Sequence, residues 1–491
     1  MGVRNSVSKA LVTICYDEVH WKDQSLTIGP SLQNRSGPIR NYWAAMCCFL
    51  APEKMQPVGS DDITENQEPF VYLVELDPAP NDWILDDPDY QLIVLPPKVE
   101  RAIRQRRAIV LVSYAHEGFR HFQAGRMARN RLLRSLSSRG PLRRQVQTSI
   151  FDTLSVFATL YDLSPEQLWF VSANVNVVEE ESLWRTARGL SVSPFTLRQC
   201  EITSFGIGLA ARESFLRGRG PATILEDSDH AERRAITLKW VPNPFSGYGI
   251  DDQWQEPKWR YSFLNRRFRQ NRWWVLERLF DSGLLEYGYV SFPRMTPGML
   301  KKVEDKTRGN RLDELLTQLP LHADIEWVSN PHEVLFYTNP ENTHAVMTYP
   351  TEVARDSALQ VVVETYYQND FSNSTMFTEK SFKCLMGRGP AIIVGPRDTL
   401  KYLNSIGVET WSNVIDESYD NFGDWDLITH RPRRLDAAMD AVLPVIGDAR
   451  ESRKAVFACQ SQYKHNLRWL IEADKPWDRL LQELESTLSS M

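Results

Sequence analysis

Three short groups of residues in this chain have the types and spacing to do chemistry. The first is Glu364 followed by Thr378-Glu379-Lys380. A carboxylate such as Glu379 accepts from both hydroxyls of a diol such as a ribose. An ammonium such as Lys380 neutralises phosphate, and the Thr378 oxygen can cap an orphan amide of a helix start. A nucleoside diphosphate asks for both kinds of partner. The second group is Asn265-Arg266-Arg267, where guanidinium groups bond phosphate in a bidentate way. The third is His116-Glu117. An imidazole or carboxylate can take the proton from an attacking hydroxyl. Each has a plainer reading: a helix cap, a solvated loop, and a helix start with a satisfied histidine.

The elements that would position the first group are legible around it. Leu359 to Val363 is a short apolar run that suits a buried parallel strand, and Ala391 to Val394 is another. Thr378 opens an amphipathic segment that stops at Gly387-Arg388-Gly389-Pro390. The second run ends in Gly395-Pro396, and a further helical segment follows. Strand, helix, strand, helix places Thr378 and Gly395 near the carboxyl edge of one sheet, where open α/β sheets bind ligands. Amides at a helix start add a preference for anions.

The second group has a similar frame. Trp259 to Leu264 reads as a strand, Asn265 to Arg269 as a basic loop, Gln270 to Asp281 as a helix and Tyr287 to Phe292 as a strand. In the first half, Leu11 to Cys15, Phe70 to Glu75, Leu92 to Leu95, Arg107 to Tyr114, Leu168 to Ala173 and Ile202 to Ile207 read as strands. Ile150 to Tyr161 reads as a helix. Alternation of this kind predicts a parallel α/β fold. Asn174, at another strand end, can bond a sugar or close an Asx turn. Turn residues crowd Val241 to Pro257 and mark a boundary. The expected division is 1–245, 256–440, and C-terminal helices over 441–491.

Composition bounds the function classes. The 491 residues are 42% hydrophobic and 24% charged, with a net charge of −6, which suits ordinary globular domains. No apolar run approaches the ~18 residues of a membrane span, and the N-terminal stretch does not read as a signal peptide. The six cysteines form no CxxC pair, so reduced thiols in a cytoplasmic protein are expected. No His/Asp/Glu cluster has metal-ligand spacing, and Asp424-Trp425-Asp426 reads as a chance match to a DxD motif. Phosphate-loop and nucleophile-elbow motifs are missing. Between Arg101 and Arg144 there are twelve arginines and one acid, Glu117. Arg126, Arg129, Arg131 and Arg134 are the candidates there for gripping an anionic glycan or nucleic acid.

Glu364, Thr378-Glu379-Lys380 and the strand ending at Gly395 resemble the donor-binding half of the α1,3-fucosyltransferases and related GT-B glycosyltransferases. The likeness extends from Lys258 to Gly407, with Trp273-Trp274 and Leu276 standing where that family has paired aromatics and a leucine. This chain has Glu364-Thr365-Tyr366 where the family often has Glu-Asn-Ser. The resemblance implies two facing Rossmann-like domains. It also implies a nucleotide diphosphate sugar as co-substrate with no other cofactor, and inverting, metal-independent transfer to a hydroxyl. Glu379 would take the ribose, Lys380 and Arg266 or Arg267 the phosphates, and GDP-fucose is the favoured donor. Two rivals stand beside it: transfer to hydroxylated bases of DNA, and a binding or structural protein without turnover.

Overall fold

The computed structural model describes residues 12–16, 19–22, 25–28, 51, 54–65, 68–75, 95–114, 150–172, 174, 176–200, 212, 219–227, 234–242, 256–265, 268–301, 312–319, 321, 353, 356–364, 377–423, 433–472 and 476–491. Within them the chain is α/β, with two parallel sheets and one antiparallel sheet.

The strands, in chain order, are β1 (Val12–Tyr16), β2 (Val19–Lys22), β3 (Ser25–Ile28), β4 (Met55–Gly59), β5 (Phe70–Glu75), β6 (Ala108–Tyr114), β7 (Leu168–Ser172), β8 (Thr196–Gln199), β9 (Arg219–Asp227), β10 (Arg234–Pro242), β11 (Tyr261–Leu264), β12 (Gly288–Ser291), β13 (Gln360–Val363) and β14 (Ala391–Val394). The first parallel sheet has the order β4-β1-β5-β6-β7-β8, and the second has β12-β11-β13-β14. In each, the chain lays its next strand on one flank of the first and then crosses to the other flank. The two parallel sheets are therefore wound alike. The antiparallel sheet, β2-β3-β10-β9, was not expected from the sequence. Three of its strands, β2, β9 and β10, contain charged residues, and β9 also carries Gly220-Pro221.

Strand β4 also escaped the sequence reading, because Pro57 breaks its pattern. Its place explains the tolerance: β4 is one of the two edge strands of the sheet and, among the described residues, pairs with β1 alone. The Lys54 carbonyl accepts from the Val12 amide at 3.1 Å. By alternation the backbone of Pro57 then turns away from β1, where no ladder bond is missed.

Leu92 to Val94 and Ile202 to Ile207 lie outside the described residues. The other expected strands appear within a residue or two of their expected limits, and Ala391–Val394 matches at both ends. Helices α1 (Pro97–Arg104), α2 (Ile150–Tyr161) and α3 (Val177–Arg188) accompany the first sheet. Phe151, Phe170, Trp184 and Phe195 interlock there, with ring centroids 5.5 to 6.3 Å apart. Helix α4 (Gln270–Asp281) follows β11 and buries nearly every side chain, including Trp273 and Trp274. A helix without a polar face belongs in the interior.

Short helices α5 (Glu379–Lys383) and α6 (Thr399–Ser405) follow β13 and β14. The tail forms four helices: α7 (Arg433–Gly447), α8 (Ala449–Ala458), α9 (Gln460–Glu472) and α10 (Pro476–Ser490). Asp448 divides the first two by accepting from the amides of Arg450 (2.6 Å) and Glu451 (3.2 Å). Helix α10 pairs Asp478 with Lys54 and Glu483 with Arg198, on the first sheet. One apolar core runs from Val12 and Val71 through Tyr261 and Ile392 to Leu484. Among the described residues no helix is long and apolar enough to cross a membrane.

Candidate functional site

The second parallel sheet reverses its winding between β11 and β13. Ligands of open α/β sheets bind beyond the carboxyl ends of the strands at such a point. The residues that leave those two strands are Asn265 and Glu364, both within the expected set.

Asn265 is 2% exposed. Its backbone amide donates to the Ser291 carbonyl (3.1 Å) and the Ser291 hydroxyl (2.9 Å), which fixes the residue at the end of β12. Among the described residues its side-chain Nδ2 has no hydrogen-bond partner. A buried amide nitrogen left this way carries a cost of a few kcal/mol (~1–3) that a ligand oxygen would remove.

Glu364 is fully buried, and its carboxylate holds the start of α5. Oε1 accepts from the Thr378 amide (3.2 Å), the Ser381 amide (3.3 Å) and the Ser381 hydroxyl (2.5 Å). Oε2 accepts from the Thr378 hydroxyl (2.5 Å). Its carbonyl accepts from Asn271 Nδ2, in the first turn of α4, at 3.0 Å. Glu364 thus ties β13 to the starts of α4 and α5. What it does here is position its neighbours.

Thr378 caps α5 as its residue type predicts, its hydroxyl oxygen accepting from the Lys380 amide at 3.4 Å. Lys380 Nζ lies 3.1 Å from the same oxygen, so the ammonium is folded back over the helix start. The amides of Thr378, Lys380 and Ser381 are therefore engaged by protein oxygens. This corrects the expectation that helix amides would face an anion: positive charge at this edge comes from side chains.

Gly395 follows β14. A Cβ there would sit 2.6 Å from Thr399 Oγ1 and 3.5 Å from Glu364 Cγ, so close packing explains the glycine. Gly387, expected as a helix stop, has an ordinary extended backbone with φ −80°. Its side of the turn is filled by the Gln360 amide, which a Cβ would meet at 1.7 Å.

Asn174 closes the Asx turn, its Oδ1 accepting from the Asn176 amide at 2.9 Å. Its Nδ2 donates to Glu180 at 3.0 Å, so its polar atoms serve its own loop and not a sugar. His116, Glu117, Arg126, Arg129, Arg131, Arg134, Arg266, Arg267 and Asp424 to Asp426 lie outside the described residues, as does the side chain of Glu379. Among the described residues no group of three or more His, Cys, Asp or Glu side chains gathers to hold a metal.

Two features of this edge were not found in the sequence. Arg272 and Asn271, in the first turn of α4, are buried. Polar residues at positions whose helical neighbours are all apolar were the available signal. The other is Asp416 to Asp420, which reads as an acidic surface loop. Instead it forms a 3-10 turn in which Tyr419 and Asp420 are buried and Glu417 is half-buried, while Asp416 and Ser418 stay exposed. Asp420 Oδ2 accepts from the amides of Leu400 (2.9 Å) and Lys401 (3.3 Å), closing the start of α6. Glu417 holds the Trp411 amide (2.6 Å) and the Thr410 hydroxyl (2.8 Å).

Burial pushes the Asp420 carboxyl up to about 6 from an ordinary 3.8, against the pull of the two amides and Arg434. A raised carboxyl pKa means the folded chain binds more protons than the unfolded one between those values. Asp420 therefore favours folding fully below pH ~4, and that contribution declines as pH rises to ~6. Asp420→Asn keeps an acceptor oxygen without the charge. Across that window it should gain on the wild type by on the order of 2 kcal/mol, read from urea unfolding at pH 4, 5, 6 and 7.5. A flat difference between the two proteins would refute this.

No family model matches the chain, and no curated protein matches it. Among solved structures it is similar to a mutant of S. aureus TarM in complex with Fondaparinux, alpha-GlcNAc-glycerol and UDP. The identity is 9% and the TM-score 0.26, over 68% of this chain and 59% of the other. A TM-score this low carries no weight for function, so the residues of the site must bear the reading.

Proposed function

We propose that this protein transfers a sugar from a nucleoside diphosphate sugar to an acceptor hydroxyl, with the donor held at the carboxyl edge of the second parallel sheet. One observation carries the reading: the switch between β11 and β13 is flanked by a buried amide donor on Asn265, unpartnered among the described residues, and by Glu364, which anchors the Thr378-Glu379-Lys380 turn. Lys380 swings from Thr378 to the phosphates, Asn265 donates to a phosphate oxygen, and Arg266 and Arg267 add charge. Glu379 takes the ribose hydroxyls. Gly395 lets the turn after β14 pack closely on Thr399 and Glu364, which holds this edge together. The acceptor oxygen attacks the anomeric carbon while Glu117, assisted by His116, removes its proton. The diphosphate departs with the bonding pair, its charge met by the cations.

The resemblance in sequence supports the narrower parts of the reading. These are a GT-B arrangement of domains over 1–245 and 256–440 with helices from 441, inversion at the anomeric carbon, and GDP-fucose as the first donor to try.

A thermal-shift panel of nucleotide sugars tests the reading, since a specific donor stabilises the fold by mass action. No stabilisation by any member would end it. With the best nucleotide in hand, Lys380→Ala should weaken binding about 10- to 100-fold in calorimetry, the worth of a charged hydrogen bond. Undiminished affinity would remove Lys380 from the site.

A further inference from the structure

The edge strand of the first sheet opposite β4, β8, reaches the candidate site through two side chains. Gln199 Nε2 donates to the Tyr402 hydroxyl at 3.1 Å. Tyr402 lies on α6, and its ring stacks on Phe377 with centroids 4.5 Å apart and planes 11° from parallel. Phe377 is fully buried and immediately precedes Thr378. Thr378 in turn holds both Glu364 and the Lys380 ammonium. The α6 start that carries Tyr402 is fixed by Asp420. An unbroken series of contacts thus joins the first sheet to the turn that bears Glu379 and Lys380.

We infer that Tyr402 is a positioning residue that couples the placement of the first sheet to the geometry of the nucleotide-binding turn, acting through Phe377. The inference rests on the reading of that turn as a donor site. A residue here does more than fill space. The hydroxyl senses the first sheet, and the ring sets the entry to α5. Donor affinity therefore depends on a glutamine on the other sheet that need never touch the donor. Linkage makes the dependence reciprocal: a bound nucleotide steadies the Gln199 contact.

The test uses the full-length chain with GDP and UDP as probes. Two signals are read: nucleotide affinity by calorimetry, and amide hydrogen exchange at residues 378–381 against the core of β6. Gln199→Leu and Tyr402→Phe remove the same hydrogen bond. Each should weaken nucleotide binding about threefold and raise exchange at 378–381 alone, and the double variant should do no more than either single one. Tyr402→Leu also loses the stack and should weaken binding about tenfold or more. Three results would overturn the coupling: exchange at 378–381 unchanged in Gln199→Leu and Tyr402→Phe, additive effects in the double variant, or a rise spread evenly over β6. A wild-type chain that binds neither nucleotide would overturn the donor reading, and the exchange measurements would still decide the coupling.

Discussion

Glu364→Ala is expected to lower stability by about 4 kcal/mol, the largest effect of any single substitution at this edge. The carboxylate is wholly buried and takes four donors from Thr378 and Ser381. Alanine strands those donors where water has little access, since Ser381 is itself fully buried and Thr378 nearly so. One unsatisfied buried donor costs about 1–3 kcal/mol, and partial relaxation keeps the total below the sum of four. Glu364→Gln restores the shape but turns an NH2 group toward a donor, so it should recover only part of the loss. Urea unfolding gives the free energies. Hydrogen exchange at 378–381 should rise in both variants. An alanine variant within about 1 kcal/mol of wild type would show that the four bonds contribute little net free energy.

Gly389→Ala is expected to cost about 3 kcal/mol, at the upper end of ordinary overpacking. The position precedes β14, and a Cβ there would lie 1.9 Å from the Ala358 carbonyl oxygen and 2.7 Å from its carbon. Both are backbone atoms, so no side chain can swing aside. The amino ends of β13 and β14 must separate, although Gln360 pairs with Ala391 in the same ladder and its amide donates to the Pro390 carbonyl at 3.0 Å. Gly387 is a useful contrast. It faces the end of the Gln360 side chain, which is buried and donates to the Cys384 carbonyl at 3.0 Å. The amide can give way only by losing that bond, and Gly387→Ala should cost less than Gly389→Ala. Equal losses at the two positions would refute the distinction between backbone and side-chain obstruction.

What the sequence made legible was local. The run Ala391 to Val394 between glycines reads as a buried strand, and Thr378 reads as a cap, because each signal lies within a few residues of its effect. The helix Gln270–Asp281 was found from its breakers, yet the burial of Asn271 and Arg272 was not, since it depends on what packs around the helix. Strand β4 was lost behind Pro57, whose tolerance depends on an edge position that only the assembled sheet defines. Glu364 was singled out for a ligand. The structure gives it Ser381 and Thr378 instead, partners separated from it by a loop whose path no local rule fixes. The acidic turn from Asp416 to Asp420 misled in part for a related reason: Asp416 is solvated as it reads, but Glu417 and Asp420 turn in to hold backbone amides, which no local rule shows.

The placement of Pro57 has a consequence beyond its own strand. Among the described residues the β4 border of the first sheet is unpaired on its outer side, and its ladder is interrupted at its middle residue, where the outward nitrogen carries no hydrogen. One of the two edge strands of the antiparallel sheet, β9, carries Pro221. A strand from a second molecule cannot complete its pairing along the β4 border, which guards against intermolecular β-aggregation while the chain is crowded or newly made.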